Sequence, residues 1–153
     1  MADQDRNWGT LDGEYEPSPS EWVRHQVETY EATDGQEANT LADTGIPIVV
    51  FTARGRSSGK LRKWALMRVE HDGQYALVAS KGGADEHPGW YRNLKADPTL
   101  QVQDGARPWI TEVREVEGEE YDQWWERAVE VFPTYARYAE ETDRRIPVLV
   151  TLD

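Results

Sequence analysis

Between Ile46 and Ser80 three short runs of β-branched and aromatic residues are separated only by turn signals, which leaves no room for a crossover helix. The first run is IPIVVFTAR, from Ile46 to Arg54, and the turn GRSSGK leads into a second run from Leu61 to Glu70. His71-Asp72-Gly73 supplies the positive φ that a tight hairpin needs, and Gln74 to Ser80 follows. Two further runs, Leu100–Gln103 and Pro108–Val116, flank Asp104-Gly105, and Ile146–Leu152 closes the chain. Strands joined this closely pair with their neighbours, so the sheet is expected to be mostly antiparallel, with about six strands.

Helical periodicity fills the gaps. Ser20 caps a helix to about Glu31, with Trp22, Val23, Gln26, Val27 and Tyr30 at helical spacing. A short helix runs from Gly89 to Lys95 and stops before Pro98. From Gly118 onward, Tyr121, Trp124, Trp125, Ala128, Val129 and Phe132 form one apolar stripe, broken by Pro133. A last piece covers Thr134 to Thr142. The expected class is therefore α+β, a small barrel with flanking helices. Residues 1–19, rich in Gly, Pro, Ser and acids and without periodicity, read as a flexible acidic tail, and 20–153 as a single domain.

Charge narrows the function. The net charge of −12 argues against general affinity for nucleic acid or for an anionic membrane. Residues 1–45 hold eleven acids and two arginines, a local charge of −9, which limits membrane contact to transient encounters at the inner leaflet. No apolar run approaches membrane-spanning length and the N-terminus lacks a secretory pattern, so the expected location is cytoplasmic. Ile46 to Val69, in contrast, holds no acid and six bases: Arg54, Arg56, Lys60, Arg62, Lys63 and Arg68. Such an island suits a small anionic ligand, or it merely balances acidic neighbours.

Protein-based nucleophilic chemistry has few candidates. There is no cysteine, and His25, His71 and His87 have neither metal-ligand spacing nor the surroundings of a hydrolytic triad. The turn Gly55-Arg56-Ser57-Ser58-Gly59-Lys60 is not a phosphate-binding P-loop: three residues separate the glycines and a strand follows. It reads either as a solvated hairpin or as a turn whose N–H groups and arginines converge on an anion. Arg62 stands two residues beyond Lys60, where a strand presents the same face. Ser80-Lys81-Gly82-Gly83 forms a glycine-rich exit from the third strand, and Pro88-Gly89-Trp90 opens a helix whose free N–H groups favour an anion. Any redox step must then come from a bound cofactor.

The stretch GRSSGKLRKWALMRVEHDGQYALVASKGGADEHPGWYRNLKADP, followed by WWERAVEVFPTYARYAEETDRRIPVLV, resembles the deazaflavin-dependent nitroreductase and quinone reductase family. The resemblance covers about Thr40 to the C-terminus. It implies a split β-barrel that binds coenzyme F420 (8-hydroxy-5-deazaflavin) and passes hydride to a quinone or, in some members, a nitro compound. The cofactor carries a phosphate and a polyglutamate tail, which agrees with the basic island. By position, the resemblance assigns Arg56, Ser57, Lys60, Arg62, Ser80, Lys81, Gly82, Trp90 and Asn93 to the cofactor neighbourhood. It assigns Tyr135 and Tyr138 to the substrate pocket, where they or Ser80 would steady the reduced acceptor.

The match has departures. Ser57 stands where the family often has lysine, and Ala65 where proline is usual, after Trp64 in place of a smaller residue. Met67 and Phe132 occupy positions that are tyrosine in the best-known nitroreductase of the family. Two other readings of the same residues are a deazaflavin-storage protein and an FMN-dependent split-barrel reductase. The expected assembly is a monomer or homodimer.

Overall fold

In the computed structural model, which describes residues 6–153, the strands are β1 (Asn7–Trp8), β2 (Ile48–Arg54), β3 (Leu61–Met67), β4 (Glu70–His71), β5 (Gln74–Val78), β6 (Thr99–Gln103), β7 (Pro108–Glu115) and β8 (Val148–Thr151). The helices are α1 (Glu21–Ala32), α2 (Gly89–Ala96), α3 (Gly118–Val131) and α4 (Thr134–Glu141), with one 3₁₀ turn at Lys81–Gly83. Six strands have four or more residues, and β1 and β4 add two short ones. Every strand pair is antiparallel, and the sheet curls into a half-barrel in the order β3-β2-β6-β7-β8-β5-β4, with β1 on β7.

The order is not a simple meander. Three hairpins form as the turns require, but the β6–β7 hairpin inserts between β2 and β8. The strand β7 makes this possible by changing partners along its length, pairing residues 108–112 with β6 and residues 113–115 with β8.

Alternation of side chains then divides the apolar residues between two faces. Val49, Phe51 and Ala53 of β2 point inward with Leu77, Leu100, Val102, Trp109 and Leu149. Ile48 and Val50 point outward beneath Val27 and Tyr30 of α1. Ala76, Val78, Val148 and Val150 likewise face Trp124 and Ala128 of α3 and Tyr135 of α4. Because helices cover both outer faces, the strands read as nearly continuous apolar runs, not as alternating ones.

The N-cap of α1 matches its sequence signal. Ser20 accepts a hydrogen bond from Val23 N at the start of α1. At its other end Tyr30 Oη accepts from Gly105 N at 2.6 Å. Gly35 lies against the Gly105 backbone so closely that a Cβ would sit 2.9 Å from its Cα, with φ +79. Only glycine fits there. The C-terminal end of α1 is thus fixed to the β6–β7 turn.

The N-terminal segment corrects the sequence expectation. Residues 1–5 of the expected tail lie outside the described residues, but residues 6–16 pack on the barrel. β1 pairs with β7, and Leu11 is buried with its N–H donating to Gln101 Oε1 at 2.8 Å. Tyr15 bridges Leu61 in parallel, with Glu16 N donating to Leu61 O and Leu61 N to Glu14 O. The anchors Trp8, Leu11 and Tyr15 are spaced irregularly between glycines, so no periodicity announces them. No helix among the described residues is long and apolar enough to cross a membrane.

Candidate functional site

The basic turn between β2 and β3 closes on itself, Gly55 N donating to Lys60 O and Gly59 N to Gly55 O. It leans on α2. Asn93, buried on that helix, accepts from Arg56 N at 3.1 Å and from Arg56 Nη1 at 2.8 Å, and Arg56 Nη1 also reaches Gly89 O at 3.4 Å. One amide oxygen therefore positions both the turn and its guanidinium. Among the described residues no carboxylate pairs with Arg56, so its charge is held in place by neutral acceptors and left uncompensated.

These residues line a cleft of ≈ 540 Å³ together with Ser57, Ser58, Arg62, Lys63, Trp64, Trp90 and residues of the N-terminal segment and α1. Trp64 and Trp90 stack at 5.4 Å and 10° and form an aromatic wall. The other cations of the cleft already have partners. Arg62 Nη1 is 3.4 Å from Glu16, and Lys63 pairs with Glu31 of α1. Lys60 does not line the cleft; it turns to Glu14 at 3.4 Å on the outside of the turn.

A second cavity of ≈ 500 Å³ shares Val23 and Trp90 with the first. It is mainly apolar, bounded by Trp22 of α1, Leu41, Ile48, Met67, Val78 and Phe132. Its polar groups are few: Gln26, Ser80, Lys81 and Tyr138. Met67 and Phe132, two of the departures from the nitroreductase pattern, both line this wall without a hydroxyl. Trp22 is 57% exposed and stands at the rim.

Ser80 and Lys81 reach the apolar cavity because β5 ends at Val78 and a 3₁₀ turn follows. Lys81 takes φ +48, a left-handed conformation that costs a non-glycine residue about 1 kcal/mol or more. Gly82 lies in that turn, and Gly83, at φ +84, packs against α4, where a Cβ would come within 3.3 Å of Tyr138. The Lys81 ammonium is half exposed and 3.7 Å from Glu86.

The two tyrosines expected in the substrate pocket separate. Tyr138 lines the apolar cavity. Tyr135 is 1% exposed, enclosed by Trp125, Phe132 and Tyr138, and does not line it. Burial, with Tyr138 adding to it, pushes the Tyr135 hydroxyl well above the usual tyrosine range. The cause is the Pro133 break, which lays α4 across the end of α3 and turns the first α4 tyrosine into the core. Sequence reasoning missed Lys63, Trp64 and the α1 residues Trp22, Val23 and Gln26 as walls of the site; their helical or strand periodicity marks burial but does not say against what.

The curled antiparallel sheet is thus a split-barrel scaffold that carries a cationic cleft beside an apolar cavity. The chain belongs to the F420H(2)-dependent quinone reductase family, whose model matches residues 22–153. A protein of Mycobacterium tuberculosis described as an F420H(2)-dependent quinone reductase is 29% identical over 124 residues, covering 79% of this chain and 83% of that one. A solved F420-H2 dependent reductase is 55% identical, with a TM-score of 0.66, covering 69% of this chain and 93% of that one. A second solved structure, a domain-swapped dimer, is 50% identical with a TM-score of 0.69, covering 88% and 99%.

Proposed function

We propose that this chain is a reductase that binds reduced coenzyme F420 across the two compartments and delivers hydride to a quinone in the apolar one. The observation that carries the reading is the shared wall of Trp90 and Val23, which sets a cationic cleft and an apolar cavity side by side. The uncompensated Arg56, with Arg62 beside it, suits a multiply anionic tail, and the Trp64–Trp90 wall suits a long planar ligand. Ser57 and the N–H groups of the turn add neutral donors, and Ser80 and Lys81, with Gly82 following them in the 3₁₀ turn, would meet the head from the apolar cavity.

When bound, reduced F420 supplies the hydride. The chain holds donor and acceptor side by side, which replaces an encounter in solution by a fixed geometry. Hydride addition leaves negative charge on a quinone oxygen; Tyr138 and Ser80, the hydroxyls lining the apolar cavity, are the groups we assign to donate hydrogen bonds to it. A proton from solvent then completes the hydroquinone. The apolar walls at Met67 and Phe132 favour a hydrophobic ring over a nitro group that asks for hydroxyl donors. A single domain of this kind would act as a monomer or homodimer.

The test is a fluorescence titration with oxidised F420, with FMN in parallel, and steady-state oxidation of reduced F420 by a soluble naphthoquinone. Binding that weakens at least tenfold in Arg56→Ala, together with turnover, is expected. Preference for FMN, or binding without turnover, would overturn the assignment.

A further inference from the structure

The antiparallel ladder between β5 and β8 ends at Val78↔Val148, with one last bond from Ala79 N to Pro147 O. Beyond it the backbone carbonyls of Ala79 and Ser80 have lost their neighbouring strand. Arg144, in the α4–β8 connection, takes that strand's place. Its Nη2 donates to Ala79 O at 3.1 Å and to Ser80 O at 2.8 Å. The same guanidinium reaches the far side of the loop, Nε donating to Ala84 O at 2.9 Å and Nη1 to His87 Nδ1 at 3.1 Å. Thr142 Oγ1 adds a bond to Asp85 at 3.0 Å. The loop so gathered holds Ser80, Lys81 in its left-handed conformation and, one residue after His87, the Pro88 that caps α2.

We propose that Arg144 is the positioning residue of the cofactor loop, fixing residues 79–87 in a single arrangement through four acceptors, and that neutral His87 is one of those acceptors. The inference rests on the proposed assignment of Ser80 and Lys81 to the cofactor site. A planar guanidinium meets acceptors in four directions, and lysine cannot reproduce that fork. His87 accepts only while its Nδ1 carries no proton. Around it stand Arg144 from the α4–β8 connection, Arg92 and Tyr91 from α2, and Glu115 from β7. Burial, then the Arg144 and Arg92 charges, hold its pKa below the ordinary histidine value, outweighing Glu115. Above pH 6.5 the ring is neutral in folded and unfolded chain alike, and the tie is intact; it is lost as pH falls through the lowered value.

The experiment compares the whole wild-type protein with Arg144→Lys, His87→Asn and His87→Leu. Three readouts are taken: the dissociation constant for oxidised F420 between pH 5 and 8, the melting temperature, and amide hydrogen exchange without cofactor. In Arg144→Lys, exchange should quicken at residues 81–87 while β2, β5 and β8 stay protected. Its cofactor affinity should fall about tenfold, as for one lost bond to a charged group. Asparagine at position 87 keeps an acceptor that does not titrate, so the wild-type weakening toward pH 5 should flatten in His87→Asn. In His87→Leu the affinity should be low at every pH. Unaltered loop exchange and affinity in Arg144→Lys would overturn the inference, as would loss of protection throughout the barrel, which would make Arg144 a general stability residue. A wild-type protein that binds no F420 but shows the local exchange change would refute the functional assignment and leave the loop role of Arg144 standing.

Discussion

Replacing Glu16 with glutamine should tighten cofactor binding. Glu16 reaches the cleft because the N-terminal segment runs beside the start of β3, and its carboxylate lies 3.4 Å from Arg62 and 3.5 Å from Ser58 Oγ. It thus occupies a cation that an anionic tail would use. Both side chains are more than one-third exposed, so the ion pair itself contributes only about 0.2–1 kcal/mol. An anionic ligand also meets repulsion from the carboxylate. Two like charges ~6 Å apart cost about 0.7 kcal/mol in water and about 2.8 at an effective dielectric of 20. Screening and exposure bring the sum to about 1 kcal/mol, or roughly fivefold in the dissociation constant. Fluorescence titration at low salt should show that gain, and it should shrink at about 1 M salt, where the Debye length is about 3 Å. Glu126→Gln on α3 removes the same charge from an exposed position away from the cleft lining and serves as the control. Unchanged or weaker binding in Glu16→Gln would refute the reasoning. Equal tightening in Glu126→Gln would refute it too, because the effect would then belong to net charge.

Asn93→Ala removes the shared acceptor of the Arg56 backbone and guanidinium, so it should lower stability by about 2 kcal/mol in urea and weaken F420 binding about tenfold. Tyr138→Phe should reduce kcat/KM for quinone about tenfold, whereas Tyr135→Phe, altering a hydroxyl away from the cavity, should leave it within about twofold. Equal losses in the two variants would reverse that assignment. Burial pushes the Glu115 carboxyl up, but bonds from Tyr91 Oη and Lys95 Nζ outweigh it and hold its pKa below the usual value. Its contribution is full above the unfolded value of about 4.3 and is lost as pH falls through the lowered one. Tyr91→Phe should therefore cost about 1 kcal/mol at pH 7 and move the acid-unfolding midpoint upward.

The individual elements were legible in the sequence because each is specified locally. The turns at Gly55–Lys60, His71-Asp72-Gly73 and Asp104-Gly105 fix the three hairpins, and the stripe from Tyr121 to Phe132 fixes α3. Strand order was not legible, since nothing near Leu100 or Trp109 says that their hairpin will separate β2 from β8. The long run from Leu61 to Glu70 also breaks in two, β3 ending at Met67 and β4 beginning at Glu70. At the site, Arg56, Arg62, Trp90 and Asn93 gather as the motif implies, whereas Lys60 and Tyr135 do not, because their directions depend on Glu14 and on the Pro133 turn. Arg144 could not be found by motif chemistry. Its partners are three backbone carbonyls and a ring nitrogen, and a sequence does not display which carbonyls a strand has abandoned.

Helix α1 is secured unevenly. Val27 and Tyr30 are buried and the Tyr30 hydroxyl is pinned to Gly105, while Trp22 at the other end is mostly bare. Displacing the C-terminal half must break core contacts and the Tyr30–Gly105 bond, whereas in the first turn only Val23 packs on the core. The helix is therefore held most firmly at Tyr30 and least firmly at Trp22, beside the apolar cavity. A change in the cavity's width at that end would therefore disturb fewer contacts than one at Tyr30, and no strand of the barrel would have to part from its neighbour.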